Sequence, residues 1–206
     1  MRDNAAALGL PGAPARTIIG MAFDPVGALW VTDNYEYVGP LNVPDWSGRI
    51  GRLTGPDHGT YTPMVVNLPR SVKDHETNSL AFGPDGALYV TQGANNAMGA
   101  PDSTWGNRPE RLLSAAILRL DPTRLPATRP LDARTADGGG AYDPYAASAP
   151  LTIHATGVRK RLRPGVAPQR PPVRTDQRLG GRWQHPRRRC RRRAPGAGTR
   201  ARWCHR

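Results

Sequence analysis

Met21-Ala22-Phe23-Asp24-Pro25-Val26-Gly27-Ala28-Leu29-Trp30-Val31-Thr32 returns 59 residues later as Leu80-Ala81-Phe82-Gly83-Pro84-Asp85-Gly86-Ala87-Leu88-Tyr89-Val90-Thr91. Each copy is an apolar strand, a four-residue Pro/Gly turn, and a second strand rich in β-formers. Proline presets φ at the turn and glycine accepts a positive φ, so the hairpin has a physical cause in both places. Arg49-Ile50-Gly51-Arg52-Leu53 and Ile117-Leu118-Arg119-Leu120-Asp121 stand at equivalent distances after the two hairpins and read as further strands.

Repeated strand–turn–strand units predict an all-β fold. A propeller blade takes about 40–50 residues, and a loop over Tyr35 to Ser47 accounts for the longer spacing. The reading is a partial β-propeller over residues 17–159, with about two to three blades; a plain β-meander or sandwich is the rival. Residues 1–16 form an extension, and residues 121–149, rich in Pro, Ala and Gly, read as a long surface loop.

Charge divides the chain. Up to Val158 there are 12 Lys/Arg and 15 Asp/Glu; from Arg159 onward there are 17 and one. The net charge of +13 therefore belongs to the tail, residues 160–206, where Arg, Pro, Gly, Ala and Gln replace the β pattern. The tail is expected to be disordered, because its charge self-repels and Pro donates no ladder hydrogen bond. It lacks interleaved aromatics for base stacking, so no specific nucleic-acid partner is expected. It also reads as an out-of-frame translation of GC-rich codons. Opposite Pro164 to Thr175, with wobble bases chosen freely, one shifted frame can spell Leu-Val-Trp-His-Arg-Asn-Gly-Arg-Leu-Tyr-Val-Pro, a third copy of the repeat.

Both cysteines, Cys190 and Cys204, lie in that tail, so no disulfide framework is expected elsewhere. No His/Cys metal spacing, phosphate-cradling glycine loop or nucleophile elbow is present. The N-terminus shows no apolar signal-peptide region, and no apolar run approaches the roughly 20 residues of a membrane span.

The stretch from His75-Glu76-Thr77-Asn78-Ser79-Leu80 through the Gly83-Pro84-Asp85-Gly86 hairpin resembles the glucose/sorbosone dehydrogenase family. Ala116-Ile117-Leu118-Arg119-Leu120-Asp121-Pro122 and Ala155-Thr156-Gly157-Val158-Arg159 are similar to two further family segments. The resemblance implies a six-bladed propeller using pyrroloquinoline quinone and calcium to oxidise a sugar or polyol outside the cytoplasm, in the extracellular space or periplasm. It implies His75 as the general base on the substrate hydroxyl, a task suited to a near-neutral pKa. It implies Arg159 as the contact to the anionic cofactor, a task suited to a permanent, forked cation. No metal ligand is assigned, and the chain as written is not expected to hold the quinone or calcium.

Departures from the family stand at three places. Gly93-Ala94-Asn95 lacks the carboxylate that orients the family histidine, Ala15-Arg16 replaces a glutamine, and the later blades are missing. The missing carboxylate at Ala94 favours a second reading, a non-catalytic propeller that binds carbohydrate or protein through its loop face, while the His75 motif favours the first. Among other candidates, Asp74 and Glu76 flank His75 but alternate away from its face. His58 and His154 read as structural or solvated. Asp33 and Glu36 read as residues of a solvated loop rather than metal ligands.

Resequencing the coding locus is expected to reveal one gained or lost base near the Lys160 codon, followed by an open frame with more copies of the repeat. A clean frame, with a soluble monomer that melts cooperatively, would contradict this.

Overall fold

A computed structural model of the protein describes residues 16–37, 43–128 and 130–159. Most of the N-terminal extension, part of the Tyr35 to Ser47 loop and the whole basic tail lie outside them. The described residues are all-β, with four short 3-10 turns and no α-helix among them. Two antiparallel meanders make up the fold. In the first, β1 (Arg16–Phe23), β2 (Leu29–Tyr35), β3 (Gly48–Thr54) and β4 (Thr60–Leu68) pair in chain order. In the second, β5 (Thr77–Phe82), β6 (Leu88–Gln92) and β7 (Ala116–Leu120) pair in order, and β9 (Leu151–Thr156) closes the row. The strands expected at Ile50 to Leu53 and Ile117 to Leu120 are the central parts of β3 and β7.

The repeat is reproduced atom for atom at the hairpins. Asp24 N donates to Ala28 O at 2.9 Å and Gly27 N to Asp24 O at 3.0 Å; Gly83 N and Gly86 N make the matching bonds at 2.8 and 3.0 Å. Gly27 and Gly86 have φ of 87° and 74°, the left-handed region that a side chain disfavours. A carboxylate then ties each turn to its sheet from a different position. Asp24 accepts from Trp30 Nε1 at 3.0 Å and pairs with Arg52 at 3.1 Å. In the second copy Asp85, two residues further along the turn, accepts from Tyr89 Oη at 3.1 Å and pairs with Arg119 at 2.8 Å.

The sheets stack with opposite faces in contact. From the first sheet, Ala22, Trp30, Ile50 and Val65 enter the core; from the second, Leu80, Phe82, Leu88, Val90, Leu118 and Leu120. Under the repeat, Trp30 corresponds to Tyr89 and Val31 to Val90. The first sheet therefore offers its Trp30 face, and the second the face that alternates with Tyr89. Trp30 meets Phe82 edge-on at 6.0 Å. Thr32 Oγ1 donates across the join to Asn78 O at 2.6 Å, and Asn34 Nδ2 to Thr77 O at 2.7 Å.

Residues 121–149 are largely the surface loop that their composition suggested, but one part of them joins a sheet. The β8 strand (Leu131–Asp132) joins the first sheet in parallel beside β4, and Ala133 N donates to Val66 O at 2.9 Å. Ala133 and Thr135 are fully buried. The segment supplies ladder partners to an edge that would otherwise be exposed. Tyr142 Oη anchors its far end, donating to Leu151 O and accepting from Leu151 N.

Partial burial raises the Asp24 carboxyl, but the hydrogen bonds from Trp30, Ala28 and Val26 and the Arg52 charge outweigh it, leaving the pKa below the ordinary 3.8. A depressed carboxylate pKa stabilises the fold above the unfolded value, and the contribution is lost as pH falls through the folded value. Asp24→Ala is expected to cost about 2 kcal/mol near neutral pH. The gap from wild type should narrow between about pH 5 and about pH 2, as measured by denaturant unfolding.

Candidate functional site

At one end of both sheets the chain emerges into residues 36–37 and 43–47, the loops of residues 69–76 and 93–115, and residues 157–159 after β9. These loops bring the sequence-predicted site together. His75 lies just before β5 and is 3 % exposed. Its backbone is fixed by Ser71: His75 N donates to Ser71 Oγ at 3.1 Å, and Ser71 N to His75 O at 3.1 Å. The imidazole Nδ1 lies 3.1 Å from Ala94 O. A carbonyl only accepts, so Nδ1 is the donor in this bond. Trp105 stacks on the imidazole with centroids 4.4 Å apart, and Lys73 Nζ lies 5.1 Å from the Trp105 ring.

Arg159 reaches the same place through its backbone. Ala94 N donates to Arg159 O at 3.0 Å, so Ala94 bonds both predicted site residues, one with each of its peptide groups. The Arg159 side chain is exposed. Gly93 permits the approach, since a Cβ there would lie 2.8 Å from Glu76 N and 3.0 Å from His75 Cβ.

Four residues that sequence reasoning passed over shape this end. Arg70 is 1 % exposed and donates to the carbonyls of Ser71, Lys73, His75 and Tyr35. It also pairs with Glu76 at 3.1 Å. Burial pushes its pKa down, and Glu76 opposes that shift. Arg108 donates to the carbonyls of Arg70 and Val43, and burial lowers its pKa too. Trp105 covers His75. Glu110 accepts from Asn95 N at 2.8 Å and Asn96 N at 3.0 Å, and from Ser114 Oγ. A carboxylate therefore does sit behind the Gly93-Ala94-Asn95 turn, supplied from later in the same loop. A lone Trp within a polar loop and an Arg directly after Leu68-Pro69 were the available signals; nothing in the sequence marked Glu110.

The remaining candidates fall elsewhere. Glu76 is committed to Arg70, and Asp74 is exposed. His58 contacts the Phe23 ring, and His154 contacts the Tyr89 ring. Asp33 is not on a solvated loop: it lies in β2, 3 % exposed, ion-paired with Arg16 and accepting from Tyr61 Oη at 2.5 Å. The reason is that β2 runs beyond the repeated segment to Tyr35. Glu36 is exposed just after β2. Among the described residues no three His, Cys, Asp or Glu side chains gather in a way that could hold a metal ion. No helix among them is long and apolar enough to cross a membrane.

In comparisons with known proteins, no protein-family model and no curated protein matches the chain.

Glu110→Ala removes the shared acceptor of two buried amides and is expected to cost about 2–3 kcal/mol. By hydrogen exchange, the amides of Asn95 and Asn96 should lose protection while those of β6 and β7 keep theirs.

Proposed function

We propose that the described residues are part of a β-propeller of the quinone-dependent sugar or polyol dehydrogenase type. On this reading His75 is the general base, Arg159 is a cofactor contact, and the chain as written does not turn over. The stacking supports the propeller over the sandwich. Two repeats joined through opposite faces form a series that further repeats can extend, whereas a sandwich closes its core between two inner faces.

The observation that carries the functional reading is the Nδ1 hydrogen bond of His75. It makes Nδ1 the donor to Ala94 O, the tautomer in which a neutral imidazole takes up a proton at Nε2, as a general base does. The Ala94 carbonyl thus does the orienting work of the carboxylate that the motif lacks. Arg159, with its exposed guanidinium, and Lys73, beside Trp105, are the cations suited to hold an anionic quinone. When bound, such a quinone supplies the hydride acceptor. His75 takes the proton of the substrate hydroxyl at Nε2, and Trp105 keeps water from the imidazole. The described residues do not fit a calcium site built from clustered carboxylates, and no role is derived for that ion.

A second reading rests on the burial of His75 under Trp105: a propeller that binds carbohydrate or protein through this loop face without catalysis. A frame-restored protein, given pyrroloquinoline quinone and an aldose or polyol with a dye acceptor, separates the two. The first reading expects dye reduction that falls by about 10²–10⁴-fold in His75→Ala. Binding of the sugar without quinone binding or turnover would leave the second.

A further inference from the structure

The carbonyl that receives His75 Nδ1 and the amide that meets the Glu110 carboxylate belong to one peptide group, the bond between Ala94 and Asn95. On one side Nδ1 lies 3.1 Å from Ala94 O. On the other, Asn95 N donates to Glu110 Oε2 at 2.8 Å. A peptide is a resonance-coupled plane, so charge drawn through its N–H raises the negative charge on its oxygen. Hydrogen bonds in series polarise one another in this way, and more strongly in a low-dielectric setting. Ala94, Asn95 and His75 are all buried. A carboxylate acceptor makes bonds to backbone N–H groups roughly twice as strong as those between neutral groups. Among the described residues no cation pairs with Glu110. Its partners are the amides of Asn95 and Asn96 and the Ser114 hydroxyl, so its charge falls on the turn.

We propose that Glu110 is a positioning residue for His75, acting through the Ala94–Asn95 peptide to hold Nδ1 as the donor to Ala94 O. Its weight for function rests on the reading of His75 as a general base; the link itself does not. The carboxylate grips the turn at two points, since Oε2 takes the Asn95 amide and Oε1 the Asn96 amide at 3.0 Å. A rotation of the peptide plane that turned Ala94 O away from the imidazole would break the bond from Asn95 N to Glu110. Asn95 Nδ2 donates to Pro109 O at 2.9 Å and holds the turn against the residue before Glu110. The polarised carbonyl is the stronger acceptor for Nδ1, and a ring held at one nitrogen by such an acceptor gains basicity at the other. A carboxylate in direct contact would set a whole charge against the ring. The peptide passes on part of that charge and leaves the imidazole bonded to a neutral group.

The test reads the His75 Nδ1 proton by nuclear magnetic resonance in the full chain, without quinone or sugar, as the signal that His75→Gln abolishes. Two variants touch the same carboxylate in opposite senses. Glu110→Gln keeps the size and removes the charge, whereas Ser114→Ala removes a competing donor from Oε2 and leaves both amide bonds. The Nδ1 proton is expected to move upfield in Glu110→Gln, because its acceptor weakens, and to stay or move downfield in Ser114→Ala. A merely structural role for Glu110 would loosen the turn in both variants; an upfield move in both would overturn the proposal. An unchanged signal in Glu110→Gln would overturn it as well. Where circular dichroism shows Glu110→Gln to be unfolded, hydrogen exchange in the wild type decides. The Nδ1 proton and the Asn95 amide are expected to exchange slowly and together, and an Nδ1 proton that exchanges much faster than that amide would overturn the link. Failure of the frame-restored protein to reduce the dye would count against the general-base reading and not against this link, which the spectra alone decide.

Discussion

The fold depends on the close approach of two strands at a position with no side chain. A Cβ on Gly20 would lie 2.6 Å from Asn78 O, 2.9 Å from Ser79 Cα and 3.0 Å from Thr32 Oγ1. With glycine there, β1 and β5 come close enough for Thr32 Oγ1 to accept from Gly20 N and donate to Asn78 O. One hydroxyl thereby satisfies two buried backbone groups that belong to different sheets, groups that would be costly to leave unpaired. The Trp30–Phe82 contact and the leucine-rich core of the second sheet extend this join in one direction. The Asn34–Thr77 bonds extend it in the other, toward the loops.

Beyond those bonds the join is polar, and buried arginines organise it. A guanidinium has five donors and no acceptor, so a loop rich in outward carbonyls is its natural partner. Arg70 gathers four carbonyls and the Glu76 carboxylate, and Arg108 links Arg70 to Val43 on a different loop. Arg111 pairs with Asp45 at 3.0 Å and lies over Trp46. Arg16, Asp33 and Tyr61 repeat the theme at the mouth of β1; burial, and then the Asp33 carboxylate, push the Tyr61 phenol up. Each of these cations is engaged in structure. That leaves Lys73 and Arg159 as the more solvated cations beside His75, which is why the proposed anion contact falls to them.

The hairpins, the strands after them and the all-β class were legible because one twelve-residue pattern occurs twice, and Pro and Gly sit at the same turn positions. The Ala94 link between His75 and Arg159 was not, since it runs through backbone groups and no residue type announces it. Asp33 was misjudged because a carboxylate after a Trp-Val-Thr run reads as solvated until Arg16, 17 residues earlier, is seen to neutralise it. The part of the 121–149 segment that joins the first sheet was not legible for a related reason. Leu131, Ala133 and Thr135 alternate inward within a stretch whose average composition is that of a loop, and its partner strand β4 lies more than 60 residues away in sequence.

The central claim is that two copies of one repeat stack through opposite faces. Nuclear Overhauser contacts between aromatic rings test it most directly. The account predicts cross-peaks between the Trp30 indole and the Phe82 ring, whose centroids are 6.0 Å apart, in a sample dilute enough to be monomeric. Cross-peaks joining Phe23 to Phe82, which would place equivalent faces together, would contradict it.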